Sequence, residues 1–240
     1  MPDCQLRRQY DLEEFTRRVP ALITERDHGW GPRVQVFKGH TDDVNCVAFS
    51  HCGRFIASGS SDCTVRVWSV ATHTEQHILH THPRAVVWAV SFSPDSSLIA
   101  SGSADGTLQL WNRTTATLQR SIPVDSGFVS SLAFSPDGQD IATGSKHFML
   151  QMWSVSTGQQ CYMAADHENS VSCVAFSSDG RLIASGSYDG TVRISDAATG
   201  AQKSGMYDGH IACVSAVAFF PDGQHVISSS EDNPFAFGTP

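Results

Sequence analysis

Serine, histidine and aspartate recur together four times in this 240-residue chain. The sets are His40 with Ser58 and Asp62, His82 with Ser101 and Asp105, His167 with Ser185 and Asp189, and His210 with Ser228 and Asp232. A single such trio is the equipment of a hydrolase, in which histidine takes the serine proton and aspartate orients the ring. A hydrolase needs it once, with an oxyanion hole and a sharp turn that exposes the nucleophile, and no G-x-S-x-G turn occurs here. A trio that returns at fixed intervals marks architecture. His77, His80 and His82 are close enough in sequence to suggest a metal, but they fall on an outer strand and its loop with no partner cluster. Neither G-x-x-x-x-G-K-[ST] nor G-x-G-x-x-G is present, so nucleotide chemistry has no foothold. The reading is of a protein with no catalytic centre, no metal and no cofactor.

The elements that carry these residues are repeats. VNCVAFS (44–50), VWAVSFS (87–93), VSSLAFS (129–135), VSCVAFS (171–177) and VSAVAFF (214–220) place Phe49, Phe92, Phe134, Phe176 and Phe219 at spacings of 43, 42, 42 and 43 residues. Each is followed by a turn and a second run (FIASGS, LIASGS, DIATGS, LIASGS, HVISSS), then by a third (TVRVW, TLQLW, MLQMW, TVRIS). From each of the first four Phe residues to Trp68, Trp111, Trp153 or Ser195 is 19 residues without exception, so this meander tolerates no insertion. Pro-Asp-Gly at 136–138 and 221–223 sets φ near −65° and then supplies positive φ. Asp105-Gly106 and Asp189-Gly190 are hairpin dipeptides. Short strands in a unit of about forty residues select a propeller, because one blade alone cannot cover both of its faces. Ala48, Ser91, Ala133, Ala175 and Ala218 precede the Phe residues, and their small size lets inner strands converge.

Composition agrees with a globular chain that meets other proteins. Hydrophobic residues make up 40% and charged residues 17%, with a net charge of −8 and no basic patch, which argues against nucleic acid as a partner. No apolar run is long enough to span a bilayer, and the charged N-terminus does not resemble a signal peptide. Seven cysteines, none in a C-x-x-C pair, read as buried free thiols of a reducing compartment. The expected location is cytoplasmic, with a nuclear one as the alternative.

These units resemble WD repeats over about residues 33–240. The first is the closest match, with Gly39-His40, Ser58, Asp62 and Trp68-Ser69 in place of Trp-Asp. The resemblance implies that His, Ser or Thr, Asp and Trp form a buried hydrogen-bond chain in each blade. The second unit offers His82, Ser101, Asp105 and Trp111, with His82 one residue off register. The third keeps Thr143 and Trp153 but has Asp125 and His147 in the His and Asp slots. The fourth has His167, Ser185 and Asp189 with Ser195 in the Trp slot, and the fifth has His210, Ser228 and Asp232. SPDGQ and IASGS are also similar to WD-repeat tails of fungal NACHT-type signalling proteins. The fold implied is an all-β propeller of four complete four-stranded blades and a partial fifth, with units at about 38–80, 81–122, 123–164, 165–207 and 208–240. A leader at 1–32 precedes it, in which Asp11, Leu12, Glu14, Phe15 and Val19 read as a short capped helix ended by Pro20.

The function implied is an interaction scaffold or sensing module. The alternatives are a substrate-recruiting adaptor of a ubiquitin ligase and a fragment of a larger NACHT-type protein. WD repeats commonly use the face lined by the loops before the first and third strands. The residues expected there include Asp43 and Asn45 of the first unit, Val86 and Trp88 of the second, Phe128 and Lys146 of the third, and Tyr188 of the fourth. Trp88, Phe128 and Tyr188 come from consecutive units and make one aromatic patch for a partner. Closure of five units is expected to need residues 33–37 beside a shortened last strand at 235–237. The competing reading is a piece of a larger ring.

Overall fold

The computed structural model describes residues 36–82, 84–124, 127–165, 167–203, 209–232 and 235–238, with the backbone alone for 165 and 235–238. The expected leader helix lies outside the described residues, as does Asp125. Every repeat forms an antiparallel meander. The first blade comprises β1 (Val44–Phe49), β2 (Phe55–Ser60), β3 (Val65–Ser69) and β4 (Glu75–Leu79). The second comprises β5 (Val87–Phe92), β6 (Leu98–Ser103), β7 (Thr107–Asn112) and β8 (Thr117–Pro123). The third comprises β9 (Val129–Phe134), β10 (Asp140–Ser145), β11 (Met149–Ser154) and β12 (Gln160–Ala165). The fourth has β13 (Val171–Phe176), β14 (Leu182–Ser187) and β15 (Val192–Asp196), and the fifth has β16 (Val214–Phe219), β17 (Val226–Ser230) and β18 (Phe235–Gly238).

The fourth sheet has three strands among the described residues, and 204–208, where its outer edge would continue, lie outside them. Among the described residues its outer strand is reduced to one bridge, Ser195 to Gln202. The third strand of the fifth blade forms despite Pro234, pairing Phe235 with Ser229 and Phe237 with Ile227. The turns behave as their residues dictate. Gly138 and Gly223 adopt φ of 73° and 65°, and the Asp137 carboxylate accepts from the Gln139 N–H at 3.0 Å and the Ser135 hydroxyl at 2.6 Å.

Inner strands stack in order, β1 on β5, β5 on β9, β9 on β13 and β13 on β16. A separate apolar cluster fills each of these four junctions. Each blade presents a leading face to the next blade and a trailing face to the one before. At the first junction Cys46, Ala57, Val65 and Val67 lead, and Val87, Val90, Phe92 and Ile99 trail. Fully burying a side chain such as Phe92 contributes about 1.5–3 kcal/mol. Close approach is permitted by glycine. A β-carbon added at Gly59, Gly102, Gly144 or Gly186 would lie 2.5–2.6 Å from a γ-carbon of Val87, Val129, Val171 or Val214 of the next blade.

Of the segment 33–37 expected beside the last strand, residues 33–35 lie outside the described residues. β16 and β1 share no packing comparable to these junctions among the described residues. Phe37 meets Trp68 of the first blade, with ring centroids 5.6 Å apart. Six cysteines among the described residues are free, but only Cys46 and Cys173 are buried, while Cys52 and Cys161 are exposed. No helix among the described residues is long and apolar enough to cross a membrane.

Candidate functional site

The Ser–His–Asp sets are assembled, with the connectivity of a triad and none of its accessibility. In the first blade His40 Nδ1 lies 2.8 Å from Asp62 Oδ2, and Nε2 lies 2.7 Å from Ser58 Oγ. The Trp68 indole N–H donates to the same hydroxyl at 2.9 Å. Indole nitrogen can only donate, so Ser58 accepts from Trp68 and passes its own proton to His40 Nε2. A neutral His40 then carries its ring proton on Nδ1 and gives it to Asp62. Ser58 is only 5% exposed, so no substrate can reach the oxygen. Burial pushes the Asp62 carboxyl up, but the Thr64 hydroxyl, His40 and the Thr41 N–H together hold it well below the usual range.

The other blades vary this chain. His82 is fully buried and reaches Ser101 at 3.2 Å and Asp105 at 3.3 Å, so the one-residue offset is absorbed by the loop. Its chain stops there, because the buried Trp111 indole nitrogen has no hydrogen-bond partner. Burial holds the His82 ring below its ordinary pKa, partly offset by the Asp105 carboxylate. In the third blade Trp153 Nε1 donates to Thr143 Oγ1 at 3.0 Å, while His147 is exposed. His167 joins Ser185 at 2.8 Å and Asp189 at 3.2 Å, and His210 joins Ser228 at 2.9 Å and Asp232 at 3.1 Å. Against the pull of burial, the Thr191 hydroxyl and N–H, the Glu168 N–H and His167 bring Asp189 down to about 2.

Sequence reasoning missed a fifth member. Thr64, Thr107 and Thr191 each donate to the Oδ1 of the Asp two residues earlier at 2.6 Å and approach the His Nδ1 at 3.4, 2.9 and 3.1 Å. The signal was present, since threonine opens three of the third-strand runs. His77 lies on β4, His80 is exposed and His82 is buried in its own network, so the three do not converge. Among the described residues no group of three or more His, Cys, Asp or Glu side chains is arranged to hold a metal.

The loop positions singled out for contact do come together. A backbone hydrogen bond ties each pair of them within a blade, as in Ser61 N–H to Asp43 O at 2.9 Å, Ala104 to Val86 at 3.0 Å, Lys146 to Phe128 at 3.1 Å and Tyr188 to Ser170 at 2.9 Å. Trp88 and Phe128 meet across a junction with centroids 5.2 Å apart and ring planes tilted by 42°, and the Lys146 ammonium lies 5.7 Å from the Phe128 centroid. The Ser170 hydroxyl donates to the Lys146 carbonyl at 3.1 Å, which carries the edge on to Tyr188. Trp88, Phe128 and Val86 are half-buried, whereas Asp43, Lys146 and Tyr188 are exposed. Asn45 is engaged in holding blades together, donating to Ser61 Oγ at 3.0 Å and to the Val87 carbonyl of the second blade at 3.2 Å. The hydroxyls of Ser130 and Ser172 make the same bond to the Val171 and Val214 carbonyls.

Two further residues join this edge. Phe148 is 43% exposed and holds φ at 69°, where Gly106 and Gly190 sit in the corresponding hairpins. An aromatic residue in left-handed conformation costs about 1–2 kcal/mol, and strain of this kind concentrates at functional sites. Ile211, in the loop entering the fifth blade, is 94% exposed.

The repeat family described as WD domain, G-beta repeat matches residues 31–69, 73–112, 116–154, 158–196 and 201–233. The second match begins before β4 of one blade and ends on the third strand of the next, so the sequence repeat is staggered against the blades. Ribosome biogenesis protein bop1-A of Xenopus laevis is 43% identical over 56 residues, 22% of this chain and 8% of the relative. A BOP1 homolog of Drosophila virilis is 38% identical over 74 residues, 29% of this chain and 10% of the relative. Nuclear distribution protein nudF of Aspergillus flavus is 36% identical over 78 residues, 30% of this chain and 17% of the relative. The chain thus covers less than a fifth of the length of each. Repeats of this kind mark scaffolds for protein–protein contact rather than catalysts. With matched segments over most of its length, the chain belongs to the WD-repeat family.

Proposed function

We propose that this chain is an interaction scaffold that holds a partner protein along the loop edge of its second to fifth blades and performs no chemistry of its own. The observation that carries the reading is the run of aromatic and apolar side chains along that edge. It passes from the Trp88–Phe128 ring pair, flanked by Lys146, to exposed Phe148, Tyr188 and Ile211. Aromatic residues at the centre of a contact carry most of its energy, with half-buried rings as rigid anchors and exposed ones as the area covered. The free thiols and the acidic balance support an intracellular setting, nuclear or cytoplasmic, with protein rather than nucleic acid or membrane as the partner.

The test separates contact from stability by using exposed side chains. Lys146→Glu with Tyr188→Ala should weaken capture of native partners at least about tenfold, with an unchanged melting curve. Full capture by the folded double variant would refute the assignment of this edge.

A further inference from the structure

At the end of each junction nearest the turn between first and second strands, two residues from adjacent blades face a common slot. One stands six residues after the repeat phenylalanine, as Phe55, Leu98 and Asp140 do in the first three blades. The other comes from the next blade, just past its third strand, and is Arg113, Val155 or Ala197. These last three are held alike, their N–H groups donating to the carbonyls of Ser97, Gln139 and Arg181 at 2.9, 2.8 and 2.8 Å. At the first junction the Arg113 guanidinium carbon lies 4.3 Å from the centre of the Phe55 ring, and its Nε donates to the Ser96 carbonyl at 2.8 Å. At the second, Leu98 and Val155 pack on the apolar cluster. Both slots are filled from within the chain.

At the third junction both members are short, and the slot is a cavity of about 420 Å³. Met152 and Phe176 form its apolar lining, Asp137, Asp140 and Asp179 its polar lining, and Ala197 stands at the place of Arg113. Phe176 is half-buried, whereas Phe92 and Phe134 of the two junctions before are buried. Gly180, at the place of Ser96, also lines the cavity. Among the described residues these carboxylates have little positive charge to balance them. The Ser135 hydroxyl and the Gln139 N–H both donate to Oδ1 of Asp137. Asp179 Oδ2 meets the exposed Arg181 at 3.9 Å, and Asp140 Oδ1 meets the Cys161 thiol at 3.9 Å. Burial, with the Asp137 charge beside it, pushes the Asp140 carboxyl up, as expected where no cation stands by. Tyr162 lies opposite Met152 on the neighbouring strand and packs on the same apolar cluster as Phe176 and Ala197. Its hydroxyl is buried without a hydrogen-bond partner.

We propose that this slot takes an arginine side chain supplied by a partner protein, its guanidinium occupying the place that Arg113 fills at the first junction. The carboxylates are not arranged to hold a metal. Spread around an apolar lining, they suit a flat, delocalised and weakly hydrated cation that donates in several directions at once. Asp140 stands where Phe55 stands, so a charge-assisted hydrogen bond replaces the ring contact of the first junction. The slot lies at the opposite end of the strands from Phe128 and Tyr188, so it rests on the scaffold reading for its partner but not on that loop edge.

The probe is N-acetyl-arginine N-methylamide, set against its citrulline counterpart, which has the same shape and no charge. Amide chemical shifts of the full chain give the readout, which needs no captured partner and so succeeds or fails apart from the scaffold reading. The arginine compound should move residues 137–140, 179–181 and 197–198 saturably, with a Kd of about 1 mM, and the citrulline compound should bind at least about tenfold more weakly. Asp140→Leu, which installs the residue found at this place in the second and fourth blades, should abolish the saturable shifts, and Asp140→Asn serves if that variant does not fold. Ala197→Arg should abolish them too, by filling the slot from within. Absence of saturable shifts in the wild type, equal binding of the citrulline compound, or full binding by a folded Asp140 or Ala197 variant would overturn the site. Shifts that appear only after Arg7, Arg8, Arg17 and Arg18 are changed to glutamine would overturn the partner as occupant, because the chain's own arginines would then hold the slot.

Discussion

Removing one hydroxyl from the first blade tests how the buried chain is wired. Ser58→Ala leaves two buried groups unmet, the Trp68 indole N–H and His40 Nε2, because both meet that oxygen at 2.9 and 2.7 Å. Each unmet buried group costs about 1–2 kcal/mol, so the loss should be about 2–4 kcal/mol. If Trp68 is already phenylalanine, Ser58→Ala strands only His40. The two changes should therefore couple by about 1–2 kcal/mol. The second blade provides the control, because the Trp111 nitrogen has no partner and nothing is shared with Ser101. Coupling between Ser101→Ala and Trp111→Phe should be near zero. Thr143→Val with Trp153→Phe should resemble the first blade, given the 3.0 Å bond between them. Urea unfolding of the four proteins in each cycle, at pH 7.5, gives the numbers. Equal coupling in the first and second blades would refute the wiring.

Two more outcomes follow from the same geometry. His82 is held neutral by burial, with a folded pKa below the ordinary 6.5, so its contribution is complete above pH 6.5 and declines as pH falls below it through the folded value. Urea midpoints should drop between pH 7 and 5, and His82→Asn should flatten that drop; an unchanged slope would show that another group causes it. Phe148→Gly should raise stability by about 1 kcal/mol by relieving its positive φ, while weakening partner capture. A stabilised variant with intact capture would remove Phe148 from the binding edge.

Much of this molecule was legible in the sequence because the repeat averages out local ambiguity. The inner strand at Val44–Phe49 and its four counterparts follow the repeated V-x-x-[VL]-[AS]-F pattern almost to the residue. The outer strands were not legible as strands. Glu75–Leu79 is mostly exposed and has no apolar alternation, so it is a strand only because β3 offers a ladder. The network residues could be placed from their spacing, but the idle Trp111 nitrogen could not. Trp111 and Ser101 are the same residue types at the same spacing as Trp68 and Ser58, which do bond, so residue identity carries no sign of the difference. The contact of Phe37 with the Trp68 indole was not legible either, since it joins residues 31 apart across a loop. For Trp88 and Phe128, strand alternation gave the direction of the side chain, whereas its depth depended on the neighbouring blade.

The joint between the second and third blades is made differently from the others. Asn45, Ser130 and Ser172 pin their junctions by a hydrogen bond to the next blade's backbone, and Trp88 stands in that position with its nitrogen buried and unpartnered. A hydrogen bond weakens within a few tenths of an ångström and a few tens of degrees. Aromatic pairs meet at centroid distances anywhere from about 4.5 to 7 Å, a less exacting contact. Mechanically, three seams are pinned beside the inner strands, and this one is pinned at its rim, where Arg120 of β8 donates to the Thr157 and Ser156 carbonyls of the third blade at 2.8 and 2.6 Å. Under torsion the second and third blades should pivot about that outer clasp, so the surface proposed to grip a partner lies over the inner end of the joint, where rings meet in place of a hydrogen bond.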